Sequence, residues 1–238
     1  MGAVSVILNP WAGRGRGARL AGVVRTAFQA RGAAEIVQTH QAGDEARLVR
    51  DALDRGVETI VAVGGDGTWS NVAHAVLESG ARVRMAFVPA GTGSDLAKTL
   101  GIPPHDVAAC ARIAFGDHTR RLDVGRIEGR HFLNIVGFGL DIAVLEHSWR
   151  VRWLRGKLVY LYCALRQLFD YKGFPLQLSA DDDEPTPHAL LMLIVANARV
   201  WGGGFHIAPH ADPYDGRLDL VGFRNAGPLR RLGLMRRL

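Results

Sequence analysis

TIVAVGGDGT (59–68) decides the fold. Its first five residues, TIVAV, carry no charge and show no alternation of polar with apolar side chains, the pattern of a strand covered on both faces. The glycine-rich turn that follows leads into NVAHAVLESG (71–80), which has apolar residues at helical spacing. Strand, tight turn and helix in that order make one repeat of an α/β domain. Working outward, the same alternation recurs. AVSVILN (3–9), EIVQT (35–39) and RMAFVP (84–89) read as further strands, and ARLAGVVRTAFQAR (18–31) and DEARLVRDALDR (44–55) as helices between them. The expectation is an N-terminal parallel-sheet domain over residues 1–118, with ligands at the C-terminal ends of its strands.

The pattern changes after Gly116. Strand-like runs at 119–127, 131–138, 175–180, 188–196 and 216–223 are separated by turn signals such as Glu128-Gly129 and Asp215-Gly216, which suits a mostly antiparallel β domain over 119–227. One helix, KLVYLYCALRQLFDY (157–171), interrupts it, and PLRRLGLMRRL (228–238) reads as a basic amphipathic helix packing back on the first domain.

Composition narrows the function less than the fold. With 48% hydrophobic and 22% charged residues the 238-residue chain can bury a full core, so disorder is not expected. No run is long enough to span a bilayer, and MGAVSVILNP reads as a strand rather than a signal. Ser5 stands one position short of a myristoylation pattern. Cys110 and Cys163 lack metal or redox spacing and read as buried free thiols of a cytoplasmic protein. The net charge of +6 favours an anionic partner without choosing among nucleotide, nucleic acid and acidic membrane.

The loops after the strands carry the chemistry. In Gly64-Gly65-Asp66-Gly67-Thr68 the glycines let backbone N–H groups approach phosphate oxygens, the next helix adds its dipole, and Asp66 can reach a phosphate-bound Mg²⁺. A tight turn with Asp66 as N-cap is the plainer alternative. Pro89-Ala90-Gly91-Thr92-Gly93-Ser94-Asp95 repeats the arrangement after the next strand; Asp95 either caps its own helix or joins Asp66 at a cation. The first loop, Asn9-Pro10-Trp11-Ala12-Gly13-Arg14-Gly15-Arg16-Gly17, mimics a dinucleotide fingerprint through Gly13, Gly15 and Ala18. That reading fails because Asn9-Pro10-Trp11 lengthens the turn and Glu35 opens its strand where a ribose-binding acid closes one. Arg14 and Arg16 suit a phosphate neighbourhood.

Taken together, NPWAG (9–13), GGDGT (64–68), PAGTGSDLAKTLGIP (89–103), FLNIVGFGLD (132–141) and GGGFHIAPHADPYDGRLDL (202–220) resemble the diacylglycerol kinase catalytic-domain family, which includes sphingosine, ceramide and bacterial lipid kinases. The resemblance implies an α/β domain followed by a β-sandwich-like domain, with ATP in the cleft between them. It implies nucleotide contacts from Asn9, Pro10, Trp11, Ala12, Gly13, Thr39, Gly64, Gly65, Asp66, Gly67, Thr68, Gly91 and Thr92. It further implies Mg²⁺ organised through water by Asp66, Asp95 and Asp123, and a second, structural Mg²⁺ at Asp212, Asp215 and Arg217. Read alone, Asp123 is a surface acid beside Arg120 and Arg121, and Asp215-Gly216 a plain turn.

Three positions depart from the family pattern: Ser70 and Asn71 stand where asparagine and glutamate are usual, and Ser94 where an asparagine is. Trp149-Arg150-Val151-Arg152-Trp153-Leu154-Arg155-Gly156-Lys157 interleaves indoles with cations and is the candidate for peripheral docking on the inner face of an anionic membrane, against an ordinary solvated basic face or an RNA surface. Trp201 and Phe205 are candidates to line a lipid-tail path. The function expected from the resemblance is transfer of the γ-phosphoryl of Mg-ATP to a membrane-lipid hydroxyl, with no nucleic-acid partner and homodimerisation left open. The alternatives are an NAD kinase-like phosphotransferase and a non-catalytic nucleotide- and lipid-binding module. Family members usually carry an Asp-Gly-Glu whose aspartate acts as general base. None occurs here, so the chain is expected to be a shortened form with little or no kinase activity unless Asp95 or Asp141 substitutes.

Overall fold

The computed structural model describes residues 3–151, 157–227 and 231. The chain forms two compact units, residues 1–134 with 197–218, and residues 135–196 with 219–238. The sequence-based division at 118–119 therefore differs from the division by contacts. Residues 119–134 stay with the first unit, and 197–218 return to it.

The first unit is built on four parallel strands, β1 (Val4–Leu8), β2 (Ala34–Gln38), β3 (Thr59–Gly64) and β4 (Arg84–Pro89), in the order β2-β1-β3-β4. Every residue of β1 and β3 is buried, as a sheet covered on both faces requires. Helices α1 (Ala12–Gln29), α2 (Asp44–Asp54), α3 (Asp66–Glu78), α4 (Asp95–Leu100) and α5 (Val107–Ala114) follow the strands. One core collects Ile7, Ile60, Ala62 and Trp69 with Leu48 and Leu96; the other collects Val6, Leu8, Val61 and Val63 with Val24, Phe28 and Ala111. Alternate strand residues thus feed opposite layers. Cys110 lies in the second core, where burial pushes its thiol up to about 11, so it is an unreactive packing group.

Three sequence boundaries move. Helix α3 begins at Asp66 rather than 71, so Asp66-Gly67-Thr68 form its first turn and Gly65 stands at the N-cap. Within α1, Gly13, Arg14 and Gly15 are left-handed, so the regular helix begins only at Arg16. Of the 119–127 run only Gly125–Ile127 is a strand, β5, paired with β6 (Arg130–Phe132) in a hairpin.

The second unit holds β7 (Ile135–Gly139), α6 (Leu140–Arg150), α7 (Lys157–Asp170), β8 (Phe174–Leu178) and β9 (Thr186–Ala196). Its antiparallel sheet is completed by the last strand among the described residues. That strand follows the short β10 (Val200–Trp201) and β11 (Phe205–His206) of the first unit and is therefore β12 (Asp219–Arg224). The eleven-residue β9 pairs with β7, β8 and β12. The expected mostly antiparallel second part is thus present. Residues 152–156 of the Arg/Trp segment lie outside the described residues. So does the 228–238 helix apart from Arg231, whose buried guanidinium donates to the carbonyls of Leu168 and Tyr171 at the end of α7 and to Ala226 O and Asn225 Oδ1 (2.6–2.8 Å). No helix among the described residues is long and apolar enough to cross a membrane.

Candidate functional site

Asn9 follows β1, and its side chain determines where the first loop goes. Nδ2 donates to Thr68 Oγ1 at 3.0 Å, and Oδ1 accepts from the Trp11 backbone N–H at 3.0 Å. One short amide therefore turns the chain and binds the first loop to the GGDGT segment. Gly13 (φ +57) presses against the third loop: a Cβ there would stand 2.2 Å from Ala90 O. Gly64 O accepts from both Ala90 N–H (2.7 Å) and Gly91 N–H (3.1 Å). A Cβ on Gly91 would lie 2.6 Å from the Gly65 Cα, so these two loops meet backbone to backbone, a contact open only to glycine.

Asp66 locks the same pair. Its Oδ2 accepts from Asp95 N–H at 3.0 Å and its Oδ1 from Leu96 N–H at 2.9 Å. It thus caps α4, a helix 29 residues away in sequence, rather than its own. Asp95 does not cap α4 either. It is buried, with Oδ1 paired to Lys98 Nζ at 2.8 Å and Oδ2 accepting from Gly203 N–H at 2.8 Å, which draws in the β10–β11 turn. Asp123 Oδ2 accepts from Gly216 N–H at 2.7 Å, and Asp123 N–H donates to Pro213 O at 2.8 Å. The Asn197 amide steadies that junction by donating to Asp123 O and Leu133 O, both at 2.8 Å.

The Asp212–Arg217 segment closes on itself. Asp215 N–H donates to Asp212 O (3.3 Å), and Asp215 Oδ1 accepts from Arg217 N–H (3.0 Å). Arg120 lies with its guanidinium carbon 3.4 Å from the Tyr214 ring centre rather than beside Asp123. Arg16 is likewise committed elsewhere, donating to Pro104 O (3.0 Å) and His105 Nδ1 (2.8 Å).

These loops enclose a cavity of about 650 Å³, lined by Asn9, Trp11, Ala12, Gly13, Thr39, His40, Gln41, Ala42, Glu45, Gly65, Gly67, Thr68, Asn71, Gly91 and Thr92. That size suits a nucleotide-scale ligand. Of the residues singled out in the sequence, Pro10, Gly64 and Asp66 stand behind the lining, and the other nucleotide candidates reach it. The first intrahelical bond of α3 runs from Trp69 N–H to Gly65 O (3.0 Å), so the N–H groups of Asp66 to Thr68 precede the ladder at a positive helix end.

Sequence reasoning missed His40 to Ala42, Glu45 and the lining role of Asn71. Asp44 shapes the first of these: Oδ2 accepts from the N–H groups of His40 (2.6 Å) and Gln41 (3.1 Å), which holds its carboxyl below the ordinary carboxylate range. Glu45 is 4% exposed, and its Oε2 has no hydrogen-bond partner. Its signal was only the acidic start of the α2 pattern. Asn71 accepts from Arg130 Nη2 at 3.1 Å, so the usual glutamate's place holds a neutral partner for that cation. Ser94 is left-handed (φ +46), a conformation that asparagine tolerates better, which gives a backbone reason for the family's preference.

In the second unit, burial pushes the Asp141 carboxyl up, and Asp141 in turn raises the Tyr171 hydroxyl, whose own burial is the larger cause. A Cβ on Gly137 would lie 2.0 Å from Asp141 Oδ2, so the glycine makes room for the acid.

Comparison with known proteins places this geometry. Residues 3–127 match the diacylglycerol kinase catalytic domain, and residues 134–238 match the YegS C-terminal NAD kinase beta sandwich-like domain. A diacylglycerol kinase of Mycobacterium tuberculosis is 30% identical over 228 residues, covering 93% of this chain and 73% of the relative. One from Bacillus subtilis is 29% identical over 224 residues, with the same coverage. The crystal structure of a diacylglycerol kinase from Bacillus anthracis superposes with a TM-score of 0.76 at 25% identity, covering 98% of this chain and 78% of that one. With its family match over the loop-bearing domain and a relative aligned along most of both chains, this protein belongs to the diacylglycerol kinase catalytic-domain family.

Proposed function

We propose that the protein is a lipid kinase that transfers the γ-phosphoryl group of Mg-ATP to the hydroxyl of a membrane lipid of the diacylglycerol type. The observation that carries this reading is the meeting of three glycine-rich loops, from the ends of β1, β3 and β4, around one cavity of nucleotide size.

The residues present fit a triphosphate. Thr39, Thr68 and Thr92 offer hydroxyls, the start of α3 offers N–H groups, and backbone can approach where Gly65 and Gly91 replace side chains. Trp11, 60% exposed at the rim, offers an apolar face to a base. For Mg²⁺ the fit is to contact through water. Asp66, Asp95 and Asp123 each already accept at least one hydrogen bond, yet a carboxylate has about four acceptor positions, so each keeps capacity for a metal-bound water. When bound, the ion supplies charge neutralisation for the transferred group. The chain's own part is positioning: Asp66 holds the second and third loops in register, and Asp95 with Lys98 holds the 202–204 turn beside them.

The test is incubation of the whole chain with γ-labelled ATP and Mg²⁺, either with phosphatidylglycerol vesicles containing diacylglycerol or with NAD. Label in the lipid fraction is the expected result. Label in NAD alone would assign an NAD kinase-like activity, and ATP binding without product from either would assign a binding module.

A further inference from the structure

His74 and Glu78 lie four residues apart on α3 and so share one face of the helix. His131, on β6 of the 125–132 hairpin, reaches that face from the other side. The His74 and His131 Nδ1 atoms stand 3.1 Å apart, with the rings tilted at 43° and their centres 5.4 Å apart. Glu78 Oε1 lies 3.7 Å from the same His131 nitrogen, and one ligand atom from each of the three residues falls within 4.8 Å of the others.

Two ring nitrogens that face each other this closely repel unless something positive lies between them. A single proton can serve, and so can an electrophilic ion. A tetrahedral Zn²⁺ bonded at about 2.0–2.1 Å spaces its ligands about 3.3 Å apart, between the two separations observed. Both imidazoles are half-buried, with His131 16% exposed, whereas Glu78 is 53% exposed and free to swing onto an arriving ion.

We propose that His74, Glu78 and His131 form a site for a borderline-soft divalent transition ion, Zn²⁺ in the first instance, with the fourth position open to water. Nitrogen ligands select against Mg²⁺, which takes oxygen, so this site is separate in chemistry from the nucleotide-bound ion. It is also separate in place: Asp66 and His74 are eight residues apart on α3, about 12 Å along its axis. Its occupation clamps the β5–β6 hairpin to α3. Arg130 of that hairpin already holds Asn71 on the cavity wall, so the clamp bears on the nucleotide cavity through one hydrogen bond.

The experiment uses the whole chain after EDTA treatment and dialysis, titrated with Zn²⁺ alone by calorimetry, and with Co²⁺ followed by visible absorption. One equivalent is expected to bind to the wild type, with a tetrahedral Co²⁺ band. His74→Ala and His131→Gln should each weaken this binding at least tenfold and abolish the band, and Glu78→Gln should weaken it less. Mg²⁺ should compete for none of it. Circular dichroism and ATP binding identify any variant that fails to fold, and Glu78→Gln, at an exposed position, keeps the test open in that event. The chain's other histidines supply weak background binding in every variant. Zn²⁺ affinity and Co²⁺ spectra equal in wild type and folded variants, or no binding above that background, would overturn the proposal and leave the three residues as a proton-sharing polar cluster.

Discussion

The central strands of the first sheet and the strands that flank β9 in the second are buried in different ways. In the first unit β3 is buried at all six positions, whereas in the second β12 alternates half-buried with exposed residues along its length and β8 does the same. The helices of both units bury one apolar face and expose another: Leu48, Trp69 and Leu96 are buried in the first and Val144, Cys163 and Leu168 in the second, while Val23 and Ile113 in the first and Ile142, Leu145, Leu165 and Phe169 in the second are exposed. A sheet covered on both faces holds its strand ends, and hence its loops, in one place. A sheet with an open face leaves room for substitution. The first unit should therefore answer small changes with large losses and the second with small ones.

The strongest test of that contrast is Asp66→Ala. It removes both acceptors that cap α4 and the carboxylate proposed for the metal-bound water, so turnover should fall by at least 10²-fold. The cap loss adds about 1–2 kcal/mol of destabilisation, measurable by urea unfolding. Near-normal turnover by the folded variant would remove Asp66 from the mechanism.

A pair of glycine substitutions makes the comparison directly. Gly91→Ala drives a methyl to within 2.6 Å of the Gly65 Cα and should cost about 1–3 kcal/mol with loss of ATP affinity. Gly222→Ala in β12 meets only Leu190 side-chain carbons at 3.5 and 3.6 Å and should be neutral or stabilising by about 0.5–1 kcal/mol. Equal costs, read from thermal melts, would erase the distinction between the two sheets.

Glu45→Gln tests the cavity wall. The substitution puts an amide NH2, equally without a partner, where the unpartnered carboxylate oxygen was, so stability should change little while ATP affinity changes severalfold, as fluorescence titration would show. Unchanged affinity would assign Glu45 to the wall alone.

The smallest expected effect is in the second unit. The Asp141 carboxyl is raised by burial, so the folded state favours its protonated form. Its contribution is complete below the ordinary value of 3.8 and is lost as pH rises through the folded value. Asp141→Asn should therefore gain more stability relative to wild type at pH 7 than at pH 4. A gain that does not vary with pH would place the carboxyl in contact with water.

Much of the first unit was legible because its signals are local. A run such as TIVAV reports a two-sided strand by itself, and glycines at a strand end report a turn wherever the chain goes next. The strand positions 3–9, 35–39, 59–63 and 84–89 correspond to β1 to β4 within one residue. Helix starts were less legible. Asp66-Gly67-Thr68 has poor helix propensity, yet it forms the first turn of α3 because a helix end tolerates glycine and the sheet positions it. In the second unit α6 was missed because LDIAVLEHSWR follows a strand without a Gly-Pro break or an N-cap side chain, and β10 and β11 were missed because two-residue strands have no period.

The sequence by itself determined the class of the fold, the strands of the first sheet and the identity of the loops at their ends, since period, apolar runs and glycine act over a few neighbouring residues. Only the tertiary structure decided what each charged side chain does. Asp66 caps a helix 29 residues away, Asp95 reaches across 108 residues to Gly203, and His131 comes to His74 and Glu78 across a hairpin. The physical reason is that a carboxylate or an imidazole carries no record in sequence of its partner. Its role is set by whichever donor, cation or ring the packed backbone brings within about 3 Å.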